Sequence, residues 1–415
     1  MTPIEQQTLA TQVAKWVAQG VIEPRRKRQP INNNIVFAAK KTGGVRVCND
    51  CTPVNAVTKD FDWPLPRLQD LRYRIKGFKW FARLDLKDAF FRIGIPAKFR
   101  HYTAFTSGGT QYQFRRMPFG VKTGPSVFQQ FMDTRLAMFM AFVIIYIDDI
   151  LICATSREDL KHRTLLVKQA LYRAGCTVNE EKSEYDTREL QFAGLTLSAE
   201  GVGPNERKVA EVLALACPRT KSDMQSALGL VSYLRDFIPL VSHFTAELYP
   251  DRQGARLSPD EYSRQWELLK RHLVSAIRSL RHWDDDAEGD LYADASGLGV
   301  GVILIQKGKV VALASRKLTA TEIKYSATDR EHIALVYAAK KFKIFLHRQG
   351  PITRVHSDHA ALIGKRSPDM LPKQVRWQSI VNQWMPDVQH VPGKENPADF
   401  ISRWGLEING GVEKL

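Results

Sequence analysis

Cysteine is scarce in this chain: five thiols, Cys48, Cys51, Cys153, Cys176 and Cys217, stand among 415 residues. An odd count in a long chain argues against a disulfide framework and fits a reducing compartment. Cys48 and Cys51 form a C-x-x-C spacing, but no second Cys or His pair stands nearby to complete a zinc site. Long apolar runs are missing too. The longest, residues 136–147, falls short of the roughly 20 residues a membrane-spanning helix needs. Residues 1–10 are polar and carry no secretory pattern. There is no internal repeat and no low-complexity segment. Acidic residues are in deficit, 44 against 60 basic ones, giving a net charge of +16. That surplus suggests a polyanionic partner, although an anionic membrane surface would also suit it. What is present is an ordinary hydrophobic share of 44%. It is enough for a sizeable core, in roughly two to four domains.

Apolar spacing predicts a helix over residues 5–20, ended by Pro24 and the basic cluster Arg25 to Arg28. Residues 35–39 and 45–48 read as a hairpin around a basic, Gly-containing tip. Residues 80–95 read as strand, helix and strand-like. Residues 118–141 read as a Pro/Gly loop continuing into a helix, and 158–174 as a strong helix. Residues 190–197 return as strands. From 205 to 281 the pattern is mostly helical. Asp284, Asp285, Asp286 and Gly289 then make a linker. A compact α/β block follows, with a hairpin over 291–306, a strand over 310–314, a helix over 327–346 and a strand over 353–357.

Two sets of carboxylates stand out. Tyr146-Ile147-Asp148-Asp149 interrupts a β-branched apolar run, which places two acids at or near a hairpin tip. Burying a carboxylate costs several kcal/mol unless it is paired or binds a metal, so the alternative is a plain turn with its Asp residues in water. Asp85 closes a strand in Leu84-Asp85-Leu86; taken alone it reads more readily as a helix N-cap. Further on, Asp294 lies within a hairpin strand, and Glu331 heads a helical stripe of Leu335, Ala338, Phe342 and Phe345. Asp358 closes another strand. Asp399 follows Asn396-Pro397-Ala398, which is also good helix-start chemistry by itself. Acid pairs of this kind could hold divalent metals for phosphoryl transfer.

The order of motifs makes the reading specific. Residues 84–91 (L-D-L-K-D-A-F-F), 116–128 (R-M-P-F-G-V-K-T-G-P-S-V-F) and 146–149 (Y-I-D-D) resemble the reverse transcriptases of gypsy-type LTR retrotransposons. Residues 35–50 and 62–71 are similar to the fingers of that family, 179–185 and 190–202 to its later palm motifs, and 228–239 to its thumb. The resemblance implies that Asp85, Asp148 and Asp149 are the polymerase carboxylates, with the Leu86 carbonyl as an extra metal ligand. Phe90 matches the aromatic steric gate that rejects a 2′-hydroxyl; its alternative is simple core packing. Arg46, and either Lys40 or Lys41, match residues holding the triphosphate, although exposed basic residues are usually just solvated. Lys182 matches a lysine that protonates pyrophosphate. Phe119 stands where retroviral enzymes carry Gln, so an amide contact to the nucleotide is absent. Phe192-Ala193-Gly194 replaces a more usual Phe-Leu-Gly.

Residues 294–296, 325–331, 357–359 and 392–403 resemble the retrotransposon ribonuclease H domain. By that match Asp294, Glu331, Asp358 and Asp399 bind metal. No His occupies the loop before Asp399, and neither His359 nor His390 takes a catalytic role.

The fold implied is an α+β right-hand polymerase (fingers, palm, thumb) followed by an α/β ribonuclease H-like domain. Fingers and palm would span 1–203, a helical thumb or connection with linker 204–285, ribonuclease H 286–405 and a tail 406–415. The function implied is an RNA- and DNA-templated DNA polymerase that degrades the RNA strand of RNA/DNA hybrids, replicating an LTR retrotransposon. The alternatives are a pararetroviral polymerase and a domesticated, non-catalytic nucleic-acid-binding protein. Expected cofactors are Mg²⁺, with Mn²⁺ as substitute, two ions per active site. Expected partners are RNA/DNA hybrid, RNA and DNA template-primer and dNTPs, with no membrane. Related enzymes can form a homodimer, but no feature here marks the interface. The expected setting is intracellular, in cytoplasmic virus-like particles. The chain reads as part of a polyprotein, with no Asp-Thr/Ser-Gly protease motif, zinc knuckle or integrase region and with an upstream piece of the fingers missing.

Overall fold

The computed structural model describes residues 1–398, apart from 26, 29, 40–43, 68–69, 239–240, 247, 249–257, 278, 298, 347–352, 360–369 and 386–387. The chain divides into two compact units, Met1–Ala193 and Gly194–Leu415.

The first unit opens with helix α1 (Pro3–Ala18), started by a capping box between Thr2 and Glu5. Strands β1 (Ile22–Pro24), β2 (Ile35–Ala39) and β3 (Val45–Asn49) follow, then short helices α2 (Thr52–Val57) and α3 (Leu71–Arg74). Next come β4 (Trp80–Asp85), β5 (Phe105–Ser107), β6 (Thr110–Phe114), α4 (Gly124–Arg135), β7 (Val143–Tyr146), β8 (Asp149–Ala154), α5 (Arg157–Arg173), β9 (Glu184–Thr187) and β10 (Glu189–Phe192). The expected helix and hairpin near the N-terminus are both present, but Pro24 does not end the helix. It sits in β1, paired with Tyr112. α1 packs Leu9, Val13 and Trp16 against Phe105 and Phe114. Trp16 meets Phe114 edge-on, with ring centroids 5.3 Å apart.

The centre of this unit is an antiparallel sheet in the order β7-β8-β4-β9. Strand side chains alternate between faces. Ala82 and Leu84 of β4 and Ile150, Ile152 and Ala154 of β8 join Phe128 and Met132 of α4 and Val167 and Leu171 of α5 in one core. Arg83, Asp85 and Asp149 therefore belong to the opposite face. α4 ends at Arg135, short of the predicted residue 141, and residues 137–139 continue as a 3₁₀ turn.

The second unit begins with β11 (Leu195–Ser198) and β12 (Gly201–Pro204), followed by helices α6 (Glu206–Ala214), α7 (Lys221–Tyr233), α8 (Val241–Ala246) and α9 (Pro259–Ala276), and by β13 (Leu280–Arg281). β12 pairs with both β11 and β13. A Cβ at Gly201 would lie 2.1 Å from the Leu280 carbonyl, so only glycine lets these backbones approach. Strands β14 (Gly289–Ala295), β15 (Gly299–Gln306) and β16 (Lys309–Lys317) lead into α10 (Ala320–Ile323) and α11 (Ala327–Leu346), then β17 (Thr353–Ser357), α12 (Pro372–Trp384) and β18 (Val388–His390). Gly289, expected in the linker, starts β14 because its missing side chain leaves room for the Trp283 ring. The sheet order is β16-β15-β14-β17-β18, antiparallel across the hairpins and parallel from β14 to β18. Among the described residues, no helix is long and apolar enough to cross a membrane.

Candidate active sites

In the first unit, Asp85 ends β4 and faces Asp149, the first residue of β8, directly across the ladder. Directly opposed residues in an antiparallel pair have Cα atoms roughly 4.5–5.5 Å apart, so two carboxylates are forced together on the face away from the helices. Asp148 is the second residue of the two-residue turn between β7 and β8. The first, Ile147, has φ of 58°. A β-branched residue in the left-handed region stores about 1–3 kcal/mol of strain. It persists because fully buried Gln129 grips the turn. The Ile147 N–H donates to Gln129 Oε1 at 2.8 Å, and Gln129 Nε2 donates to the Ile145 carbonyl at 3.1 Å.

Asp85 is anchored from its other neighbour. Its N–H donates to Ser183 Oγ at 3.1 Å, and its carbonyl accepts from the Asn179 N–H at 2.8 Å. Leu86 is buried and bridges Val178. The segment carrying Lys182 is thus laid beside the acids, and the Lys182 and Arg46 charges both favour ionised Asp148. Asp148 itself is exposed. Even so, the desolvation imposed by the protein at its flank, helped by the Asp85 charge, outweighs them and raises its pKa. Burial raises the Asp149 carboxyl to about 6 against the opposing pull of Arg83, with Asp148, Asp85 and Glu184 adding repulsion. Arg83 pairs with Glu184 at 2.7 Å and donates to the Gln191 carbonyl at 2.9 Å.

Half-buried Phe90 follows Asp85 into a 3₁₀ turn over Ala89–Arg92. Its ring meets Phe119 at 5.3 Å and Phe128 at 5.5 Å. Arg46 lies over the Phe119 ring, 5.3 Å from its centroid. The loop after Phe119 is held in place: the Asn55 side chain donates to the Gly120 carbonyl and accepts from the Lys122 N–H. Phe90, Phe119 and Arg46 therefore form one continuous surface. Lys40 and Lys41 lie outside the described residues. Burial pushes the Cys51 thiol up to about 11, so at neutral pH it is an uncharged packing group.

In the second unit, Asp294 of β14, Glu331 of α11 and Asp358, just past β17, bring carboxylate oxygens within 4.8 Å of one another. Asp294 is 0% exposed and Glu331 7%. Glu331 Oε1 accepts the Ala295 N–H at 3.1 Å, tying helix to strand. Leu335, Ala338, Phe342 and Phe345 are all buried, so the predicted stripe fixes which way α11 faces. The loop before residue 399 closes in as well: a Cβ on Gly393 would lie 3.1 Å from Asp358 Oδ2. Buried Asn396 accepts the Ala398 N–H at 3.0 Å and donates to the Ala293 carbonyl at 3.2 Å. Asp399 lies outside the described residues. His359 exchanges a hydrogen bond with Thr328 at 2.8 Å, while His390 is exposed on β18.

Residues 38–197 match the sequence profile of the reverse transcriptase (RNA-dependent DNA polymerase) family. Residues 284–384 match that of the RNase H-like domain found in reverse transcriptase. The chain carries a reverse transcriptase domain and an RNase H-like domain. It is 28% identical over 421 residues to the transposon Tf2-3 and Tf2-7 polyproteins of Schizosaccharomyces pombe (strain 972 / ATCC 24843). Those alignments cover 97% of this chain but 31% of each polyprotein, so the chain spans about a third of their length. Its fold is that of a foamy viral protease-reverse transcriptase solved with double-stranded DNA (TM-score 0.76, 24% identity, 92% of this chain and 68% of that one). A foamy viral protease-reverse transcriptase solved with RNA/DNA hybrid matches at a TM-score of 0.72, with 21% identity, over 100% of this chain and 56% of that one.

The reverse transcriptase match contains Asp85, Phe90, Phe119, Asp148, Asp149 and Lys182. The RNase H-like match contains Asp294, Glu331 and Asp358 and stops short of Asp399. Motif reading passed over Gln129, Arg83 and Ser183. For Gln129 a signal was available: an amide stands between Phe128 and Met132, on the helix face that must be apolar.

Proposed function

We propose that this chain is a two-centre enzyme of retrotransposon replication. The first unit extends a DNA primer on an RNA or DNA template, and the RNase H-like domain cuts the RNA strand of the hybrid product. The observation that carries the reading is the pairing of Asp85 with Asp149 beside Asp148, matched by a second acid cluster of Asp294, Glu331 and Asp358. Two carboxylate centres in one chain suit two phosphoryl-transfer reactions.

Divalent metal fits both donor sets. Hard carboxylate oxygens are the ligands Mg²⁺ and Mn²⁺ prefer, and a cation would offset the burial, and the added carboxylate repulsion, that raise Asp148 and Asp149. We assign Asp85, Asp148, Asp149 and the Leu86 carbonyl to the first centre, and Asp294, Glu331, Asp358 and Asp399 to the second, with two ions in each. When bound, such ions activate an attacking oxygen and stabilise the leaving one. The protein does the rest. Phe90 would lie under the incoming sugar and exclude a 2′-hydroxyl. Arg46, with Lys40 and Lys41, would hold the triphosphate of the dNTP by charge-assisted hydrogen bonds. Lys182 would deliver a proton to pyrophosphate. The net charge of +16 favours a nucleic-acid backbone without reading its sequence. The reading carries with it an intracellular setting in virus-like particles.

Primer extension on an RNA template with Mg²⁺ and dNTPs, run beside cleavage of a labelled RNA/DNA hybrid, tests both halves. Both activities are expected. Folded protein that incorporates no dNTP would leave a non-catalytic nucleic-acid binder as the better reading.

A further inference from the structure

We propose that Gln129 is a positioning residue of the polymerase centre: its side-chain amide replaces the strand neighbour that the Asp148 hairpin lacks. The inference rests on the polymerase reading above and deepens it.

Among the described residues, β7 is an edge strand in the order β7-β8-β4-β9. An edge strand presents backbone N–H and C=O groups with no strand to receive them. At the tip of this hairpin those groups are the Ile145 carbonyl and the Ile147 N–H, and both are satisfied by one side chain. Gln129 Oε1 accepts from Ile147 at 2.8 Å, and Gln129 Nε2 donates to Ile145 at 3.1 Å. The second Nε2 proton goes to Asp133 Oδ1 at 2.9 Å, and Asp133 Oδ2 accepts the Trp63 indole N–H at 2.7 Å. Gln129 is 0% exposed, between Phe128 and Met132, which are equally buried. An amide in such a place is tolerated only when its donors and acceptor are used, and here Oε1 and both Nε2 protons are.

The bonds fall where backbone geometry is least favourable. Ile147, at φ of 58°, occupies a turn position that Gly ordinarily fills. Without the grip on its N–H, that residue would relax toward negative φ and carry Asp148 with it. Asp85 would not follow, because Ser183 and Asn179 hold it independently. Gln129 therefore sets the distance between Asp148 and Asp85 without touching substrate. A shift of about 1 Å between catalytic groups is enough to cost on the order of a hundredfold in rate.

The test is single-turnover dNTP incorporation by the full chain with Gln129→Met, a swap of similar volume that removes all three hydrogen bonds. The rate constant should fall on the order of a hundredfold. Burst amplitude, template-primer Kd by fluorescence anisotropy and hybrid cleavage should stay at wild-type values. Amplitude counts folded active molecules, so a purely structural role would lower it and leave the rate constant alone. An unchanged rate constant, or a loss confined to amplitude or shared with hybrid cleavage, would overturn the proposal. Wild-type protein without incorporation would instead sink the polymerase reading itself.

Discussion

The two acid centres are built by different devices. The first rests on register: an antiparallel ladder sets Asp85 against Asp149, and a strained two-residue turn adds Asp148 at the solvent edge. The second rests on convergence: a strand, a helix and the end of another strand deliver Asp294, Glu331 and Asp358 to one point, with Asp294 fully buried. A centre made by register depends on one ladder between distant strands and stores strain in its turn. A centre made by convergence needs none of that strain but depends on the packing of every element that meets there. Each is tied down by a buried amide, Gln129 in one and Asn396 in the other.

If the centres are independent, breaking one should spare the other. Asp148→Asn should lower primer extension by more than about 100-fold, since even an outer partner of a metal ligand is worth roughly 10–100-fold. Hybrid cleavage should be unchanged. Glu331→Gln should do the reverse. Loss of both activities in either variant, with unaltered circular dichroism, would mean that the centres are coupled. Within the first centre, Phe90→Val should raise ribonucleotide use relative to dNTP by roughly 10–100-fold, the scale of discrimination a pocket side chain supplies. Its packing on Phe119 and Phe128 would by itself give no such change. Competition assays with matched rNTP and dNTP decide between gate and core.

The same contrast explains what was legible in the sequence. α1, α5 and α11 follow from apolar spacing, and the β2–β3 hairpin from its Gly-containing tip. The Asp148 hairpin was legible because two acids interrupt a β-branched run locally. That Asp85 would oppose Asp149 was not, because register between distant strands is set by the whole sheet. Gly201 and Gly289 gave no warning either: each serves a neighbour far along the chain, Leu280 in one case and Trp283 in the other. For Gln129 the sequence offered only an amide on an otherwise apolar helix face; the backbone atoms it grips belong to another element, which no motif encodes. In the second centre only the order of motifs pointed to convergence; spacing alone left Asp399 as an ordinary helix-start acid and put Glu331 on an apolar stripe without naming its partners.

Protonation should separate the centres by a smaller margin. Asp149 titrates near 6 in the fold, against about 4 for an unperturbed Asp. Its folded pKa is raised, so folding takes up a proton between these values. The stability this contributes is full below about pH 4 and is lost as pH rises through 6. In chelator, Asp149→Asn should therefore be more stable than wild type at pH 8, by about 1–2 kcal/mol after allowing for partial exposure, and equal to it at pH 4. Thermal unfolding at the two pH values measures the difference. An advantage that persisted at pH 4 would assign it to something other than this carboxyl.

The smallest effect expected is at Asn396, and it bears on whether a buried amide does the same work in both centres. Gln129 restrains a backbone held in the left-handed region; Asn396 joins a loop to β14 with no such strain to oppose. Removing its two hydrogen bonds by Asn396→Ala should cost about 1–2 kcal/mol in stability and lower hybrid cleavage while leaving primer extension alone. Asn396→Asp separates the two bonds, because it keeps the acceptor for the Ala398 N–H and loses the donor to the Ala293 carbonyl. If Asp and Ala lower cleavage equally, the tether to the strand bearing Asp294 is what matters. If Asp behaves as wild type, Asn396 acts only as a helix cap, and the likeness to Gln129 ends at burial.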